Sequence, residues 1–152
     1  TGLYNRNKLD EVLSYEYERA ARYDRSFSLI IIDIDHFKSV NDTYGHHVGD
    51  TVLIEFSKIL HNTIRKIDTV GRWGGEEFVI ICPDTLIEGA VSVAEKTRKK
   101  VASHVFPTVN HKTISLGVAT YKKNETIDDI IKRADENLYC AKNSGRNKVK
   151  YS

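Results

Sequence analysis

Apolar positions recur along the chain with two different periods. Between residues 5 and 24, Leu9, Val12, Leu13, the Tyr15–Glu16 position and Ala20 fall at roughly helical spacing, with Asn5 placed to cap, and predict a first helix. Ser28 to Asp35 (SLIIIDID) is apolar on both alternating faces until Asp33, the pattern of a strand covered on both sides. Asp42 to Gly49 is rich in turn residues, and Asp50 to Lys66 then repeats Leu53, Phe56, Ile59, Leu60 and Ile64 as the face of a second helix. Thr69 to Trp73 and Glu77 to Cys82 flank Gly74-Gly75, which predicts a hairpin because paired glycines accept the positive φ angles of tight primed turns. Leu86 to Val101 has helical periodicity and Lys112 to Tyr121 alternates as a strand. Thr126 to Asn143 is again helical, and Lys148 to Tyr151 closes as an edge strand. The order α, β, α, β, β, α, β, α, β contains a βαββαβ unit. It predicts an α/β sandwich, helices around one mostly antiparallel sheet, in a single domain over residues 1–152.

Length agrees with that reading, since a domain of 152 residues buries about 70% of the surface its unfolded chain exposes. Lys and Arg total 23 against 21 Asp and Glu, and a net charge of +2 makes no broad field for steering onto nucleic acid or a membrane, so any anion site must be local. Cys82 and Cys140 suit reduced thiols of a cytosolic protein better than a disulfide framework. No apolar run approaches the roughly 20 residues of a membrane span, so a soluble, cytoplasmic domain without direct membrane insertion is expected, including the cytoplasmic portion of a membrane-bound sensor. The chain opens at Thr1-Gly2-Leu3-Tyr4 without Met, as expected of a piece of a longer polypeptide.

The chemistry concentrates where charge meets apolar strand. In RWGGEEFVII (72–81) two carboxylates stand at the mouth of a strand otherwise built for burial. With Gly74-Gly75 as the turn, Glu76 and Glu77 open the returning strand and point to opposite faces, so only one can join a given site. Asp33 and Asp35 share a face at the end of the central strand. A carboxylate there together with Glu76 could hold Mg²⁺, which takes a few oxygen ligands and keeps room for substrate phosphates. Either acidic pair alone also reads as a solvated strand end; the glycine hairpin is what makes the two pairs neighbours.

These residues carry a resemblance. The chain is similar to the GGDEF domains of bacterial diguanylate cyclases through TGLYNR (1–6), DIDHFK (33–38), NDTYGHHVGD (41–50), GGEEF (74–78), ISLGVA (114–119) and ADENLYCAKNSGRN (134–147). The resemblance implies a nucleotide-cyclase or palm-like fold and condensation of two GTP into cyclic di-GMP and two pyrophosphates, at the interface of an antiparallel domain dimer. It implies Mg²⁺, with Mn²⁺ a substitute, held by Asp33, the carbonyl of Ile34 and Glu76. Glu76 would also serve near the attacking 3′-hydroxyl, while Glu77 belongs to the signature with a less defined role. Lys38, Lys142 and Arg146 would counter triphosphate charge in place of a Walker loop, for which no GxxxxGK[ST] exists. Asn41 and Asp50 would hold guanine, with His46, Phe37 and Gly75 as further substrate contacts. An upstream sensory or dimerising segment is also implied.

Arg65-Lys66-Ile67-Asp68 ends six positions before Gly74, and in the family RxxD at that offset is an inhibitory site for the product, helped by a basic residue that would here be Lys96 where Arg is common. Arg can fork onto guanine O6 and N7 while Asp accepts from guanine nitrogens. The same four residues also read as a surface ion pair at a helix end. Two other functions compete: a GGDEF domain kept only as a receptor for GTP or cyclic di-GMP, which loss of the motif's acids would signal, and an RRM-like RNA-binding sheet. The second shares the βαββαβ order and needs stacking aromatics on an exposed strand face, where this chain puts two glutamates.

Overall fold

A computed structural model describes residues 3–152 of the chain; Thr1 and Gly2, the start of the TGLYNR stretch, lie outside the described residues. Ten elements follow one another: α1 (Arg6–Tyr23), β1 (Phe27–Ile34), α2 (Phe37–Tyr44), α3 (His46–Thr63), β2 (Thr69–Gly74), β3 (Glu77–Pro83), α4 (Ile87–Ser103), β4 (Ile114–Thr120), α5 (Ile127–Asn143) and β5 (Val149–Tyr151). The strands form one sheet in the order β2-β3-β1-β4-β5, antiparallel except for the edge pair β4 and β5.

All eight residues of β1 are buried, as an apolar run on both faces requires. Ile30, Ile32 and Ile34 point into a core shared with α3 and α4, where Phe56 meets Phe78 edge-on at 4.8 Å between ring centroids. Leu29 and Ile31 point the other way, into a second core closed by α1 and α5. Helices therefore cover both faces of the sheet, and the open strand face needed by an RRM-like RNA reader is absent among the described residues. Both cysteines are free thiols; Cys140 is exposed, while burial pushes the Cys82 thiol up to about 12 and makes it inert. No helix of the described residues is long and apolar enough to cross a membrane.

Two local features differ from the sequence expectation. Residues 37–44 form the short helix α2 and α3 starts at His46, where turn composition predicts no helix before Asp50. No side chain caps either start, so no local signal announces them; Gly45, at φ +88, divides the two helices. The hairpin also turns one residue later than expected. Gly74 still pairs with Glu77, and the turn is Gly75-Glu76, with Gly75 at φ +54.

Candidate active site

The end of β1 is where the sheet, the hairpin and the C-terminal end of α5 meet. The antiparallel register puts Asp33 opposite Glu77 of β3 and opposite Ser115 of β4. Asp33 is buried, and its Oδ2 receives the Lys142 ammonium from α5. Its Oδ1 is buried with no hydrogen-bond partner. Burial pushes the Asp33 carboxyl above its ordinary value, Lys142 pulls it back, and the nearby charges of Glu76 and Asp35 push it up again. A buried carboxylate with one oxygen on an ammonium and the other without a partner, beside the further charge of Glu76, leaves an oxygen ligand that a hard divalent cation fits. Among the described residues no three Asp, Glu, His or Cys side chains close into a ready-made cage. Such a sparse donor set suits Mg²⁺, which is usually bound by one or two carboxylates with phosphates completing its shell.

The hairpin supplies the other acids. Glu76 occupies the turn itself, close enough to act on Asp33 electrostatically. That turn is braced from both sides: Arg72 Nε donates to the Gly75 carbonyl at 2.7 Å, and the Arg6 guanidinium lies 4.1 Å over the ring of Trp73. The later turn also corrects the expected facing of Glu77. Being the cross-strand partner of Asp33, it shares that residue's face of the sheet rather than the opposite one. Burial pushes the Glu77 carboxyl up, followed by the charges of Asp135 and Asp33, with Lys142 opposing. Sequence reasoning missed Asp135. It stands seven positions before Lys142 on α5, two helical turns along one face, and that spacing was the available signal.

Asp35 is not available as a ligand in this arrangement. Its Oδ1 accepts from Ser115 at 2.7 Å, and its Oδ2 accepts from Thr113 at 2.7 Å and from the Asn147 amide at 3.0 Å. The two aspartates of the DID stretch, equivalent in sequence, thus have separate partners, Lys142 for one and the loop after α5 for the other.

Beyond β1 the chain turns through His36 into α2, which buries Phe37 and leaves Lys38 exposed beside it. Asn41 lies on α2, while His46 and Asp50 stand one turn apart on α3. A Cβ on Gly49 would lie 1.9 Å from Asn41 Oδ1, so the Asn41 amide rests directly on the α3 backbone next to Asp50. These residues form one polar group at the α2–α3 junction, and exposed His46 and Asp50 are free to meet a ligand. Lys142 and Arg146 stand together at the end of α5, with Arg146 exposed and its backbone N–H bonded to the Ala141 carbonyl at 3.0 Å.

Arg65 and Asp68 form a separate cluster, beside an open cleft of about 380 Å³ that also includes Tyr4 and His61. Arg65 Nε donates to Asp68 Oδ2 at 2.9 Å and Nη2 to Oδ1 at 2.8 Å, a bidentate fork, while Nη2 also donates to Thr85 at 2.9 Å. The Asp68 side chain is 0% exposed, so both of its oxygens face inward and only the Arg65 edge, at 43% exposure, looks outward. Lys96 is exposed on α4 and makes no ion pair with Asp68.

The family model described as "Diguanylate cyclase, GGDEF domain" matches residues 1–148. The chain is 43% identical over 149 residues to the diguanylate cyclase DgcM of Escherichia coli, with 98% of this chain and 36% of that protein covered; it spans about a third of the length of such curated relatives. Among solved structures it is similar to the active GGEEF domain of a diguanylate cyclase from Vibrio cholerae, with a TM-score of 0.93, 39% identity, and 98% of this chain and 97% of that one covered. It is also similar to the coiled coil and GGDEF domain of DgcB from Caulobacter crescentus in complex with c-di-GMP, with a TM-score of 0.94, 31% identity, and 100% and 83% covered.

Proposed function

The chain belongs to the GGDEF family of diguanylate cyclase domains, and from that premise we propose that it condenses two GTP molecules into cyclic di-GMP and two pyrophosphates. The observation that supports this most directly is the buried, unpartnered Oδ1 of Asp33 beside the acids of the hairpin turn. Asp33, the Ile34 carbonyl and Glu76 would hold the divalent cation. When bound, Mg²⁺, or Mn²⁺ in its place, supplies the positive charge that polarises the α-phosphate and stabilises the departing pyrophosphate. Glu76 lies at the hairpin tip, where its carboxylate can accept the proton of the attacking 3′-hydroxyl; Glu77 sets the local charge from the strand beside it. Lys142, Arg146 and Lys38 neutralise the triphosphate. Asn41 and Asp50 read guanine, because a carboxylate accepts from N1 and N2 of guanine but finds no donor at N1 of adenine, with His46, Phe37 and Gly75 as further substrate contacts.

One domain binds one GTP, so two copies must face each other, antiparallel, for each 3′-hydroxyl to reach the other α-phosphate. The test is incubation with GTP and Mg²⁺ across a protein dilution series, with separation of nucleotide products. Cyclic di-GMP should form at a rate per protein that rises with protein concentration. GTP bound but unconverted at every concentration would replace this reading with that of a receptor.

Product inhibition at the cleft of Arg65 is part of the same proposal. The exposed Arg65 edge suits guanine O6 and N7, with Asp68 buried behind it and Lys96 a further cation on α4. Arg65→Ala should weaken cyclic di-GMP binding at least tenfold by calorimetry and relieve inhibition of turnover. Undiminished binding in the variant would leave Arg65 and Asp68 as a structural ion pair. In the whole protein, an upstream sensory or dimerising segment would set how often two domains meet.

A further inference from the structure

We propose that Asp35 is the positioning residue of the triphosphate end of the site, fixing the loop that presents Arg146 by accepting the backbone N–H of Asn147. The inference rests on the reading of Arg146 as a phosphate-binding group and assigns the residue that makes that group effective. Helix α5 ends at Asn143, and the chain must turn sharply to enter β5 at Val149. It does so through three successive residues of positive φ: Gly145 at +114, Arg146 at +62 and Asn147 at +46. Two of these are not glycine; Asn147 enters that region readily, whereas for Arg146 it carries a steric cost that the surroundings must offset.

The inward anchor is Asp35. It is 3% exposed, and Oδ2 takes the Asn147 amide at 3.0 Å while Thr113 and Ser115, at the start of β4, orient the carboxylate with two hydroxyl bonds of 2.7 Å each. The other holds on the loop include a 3.1 Å bond from Arg98 to the Asn147 side chain, the bond from the Arg146 amide to Ala141, and the bond from the Leu116 amide of β4 to the Lys148 carbonyl at 3.0 Å. Of these, only the Asp35 bond ties the loop directly to the end of β1, through the residue that follows Ile34. Without it Arg146 is set relative to the end of β1 only indirectly, through the end of α5 and through the bond of Lys148 to β4. The spacing of Asp33 and Asp35 therefore aligns two cationic positions: Lys142 pairs with the first carboxylate and the Arg146 loop hangs from the second.

A double-mutant cycle between Asp35→Ala and Arg146→Ala tests this. It is read by calorimetric binding of a GTP analogue with a non-cleavable α,β-bridge and of GMP, in Mg²⁺ buffer, with thermal unfolding as a check on folding. Asp35→Ala should weaken binding of the triphosphate analogue about tenfold and of GMP less than twofold, and in the Arg146→Ala background its further effect should fall below twofold. Should Asp35→Ala not fold, Asp35→Asn is carried through the same cycle. Its amide oxygen can keep the Asn147 bond while its nitrogen faces the Ser115 hydroxyl, and about a threefold loss, again absent without Arg146, is expected. Effects of the two substitutions that simply add, or equal losses for GMP and the triphosphate, would overturn the role of Asp35. A parent chain that binds neither nucleotide would overturn the proposed function, and this inference with it.

Discussion

Glu76→Gln and Asp33→Asn should each lower cyclic di-GMP formation at least about 100-fold, since each removes a charge from the place where the cation and the developing phosphate charge must be balanced. For Asp33→Asn the effect on the fold should differ in sign from the effect on turnover. Asp33 is an acid whose folded value is raised, with burial the largest cause. Such a group is favourable when neutral; the stability it supports is present below the ordinary value of 3.8 and is lost as pH rises through the raised folded value. At neutral pH its charge is held against that cost by Lys142, which is 33% exposed and can turn to water when its partner is neutralised. Asp33→Asn should therefore leave the unfolding midpoint unchanged or higher while turnover is lost. A variant that still makes cyclic di-GMP at the parent's rate would remove Asp33 from the site, and a variant that unfolds would show that the ion pair with Lys142 is structural.

Gly117→Ala should be among the most damaging single substitutions in the chain. Gly117 sits in β4 beneath α5, and a Cβ there would lie 2.1 Å from the Ala134 carbonyl oxygen and 2.4 Å from the Leu138 nitrogen. Both are backbone atoms, so no side chain can rotate away and the whole helix must lift. Overpacking of this kind costs about 3 kcal/mol, which for a domain of this size lowers the melting temperature by about 10 °C. Because α5 carries Asp135 and Lys142 to Glu77 and Asp33, GTP turnover should fall at temperatures where the variant is still folded. An unchanged denaturation midpoint would mean that α5 rides farther from β4 than the geometry describes.

The same features show why some of this protein can be read from its order of residues and some cannot. β1 was legible because its burial is total and an unbroken apolar run has few other uses; α5 was legible because a helical period ends in basic residues and starts at Thr126, which forms a capping box with Asp129. The family, too, was legible, since several short motifs occur in the right order over nearly the whole chain, and the match over residues 1–148 bears it out. Helix α2 was not legible, because it begins without a side-chain cap and its Asn, Asp and Thr residues compose turns equally well; packing beside α3, with Asn41 laid on Gly49, decides it. The facing of Glu77 hung on a single residue, because moving the turn from Gly74-Gly75 to Gly75-Glu76 reassigns which acid lies on the face of Asp33, and a period of two leaves no middle position. Asp33 and Asp35 are likewise the same residue type, one near the end of β1 and one just past Ile34 where the strand has ended, and sequence by itself determined only that both lie near that end. Tertiary structure alone gave Asp33 to Lys142 and Asp35 to Asn147, because those partners arrive from more than 100 residues away, and the distance between chain-remote groups is set by how the helices pack on the sheet rather than by any local preference of the residues.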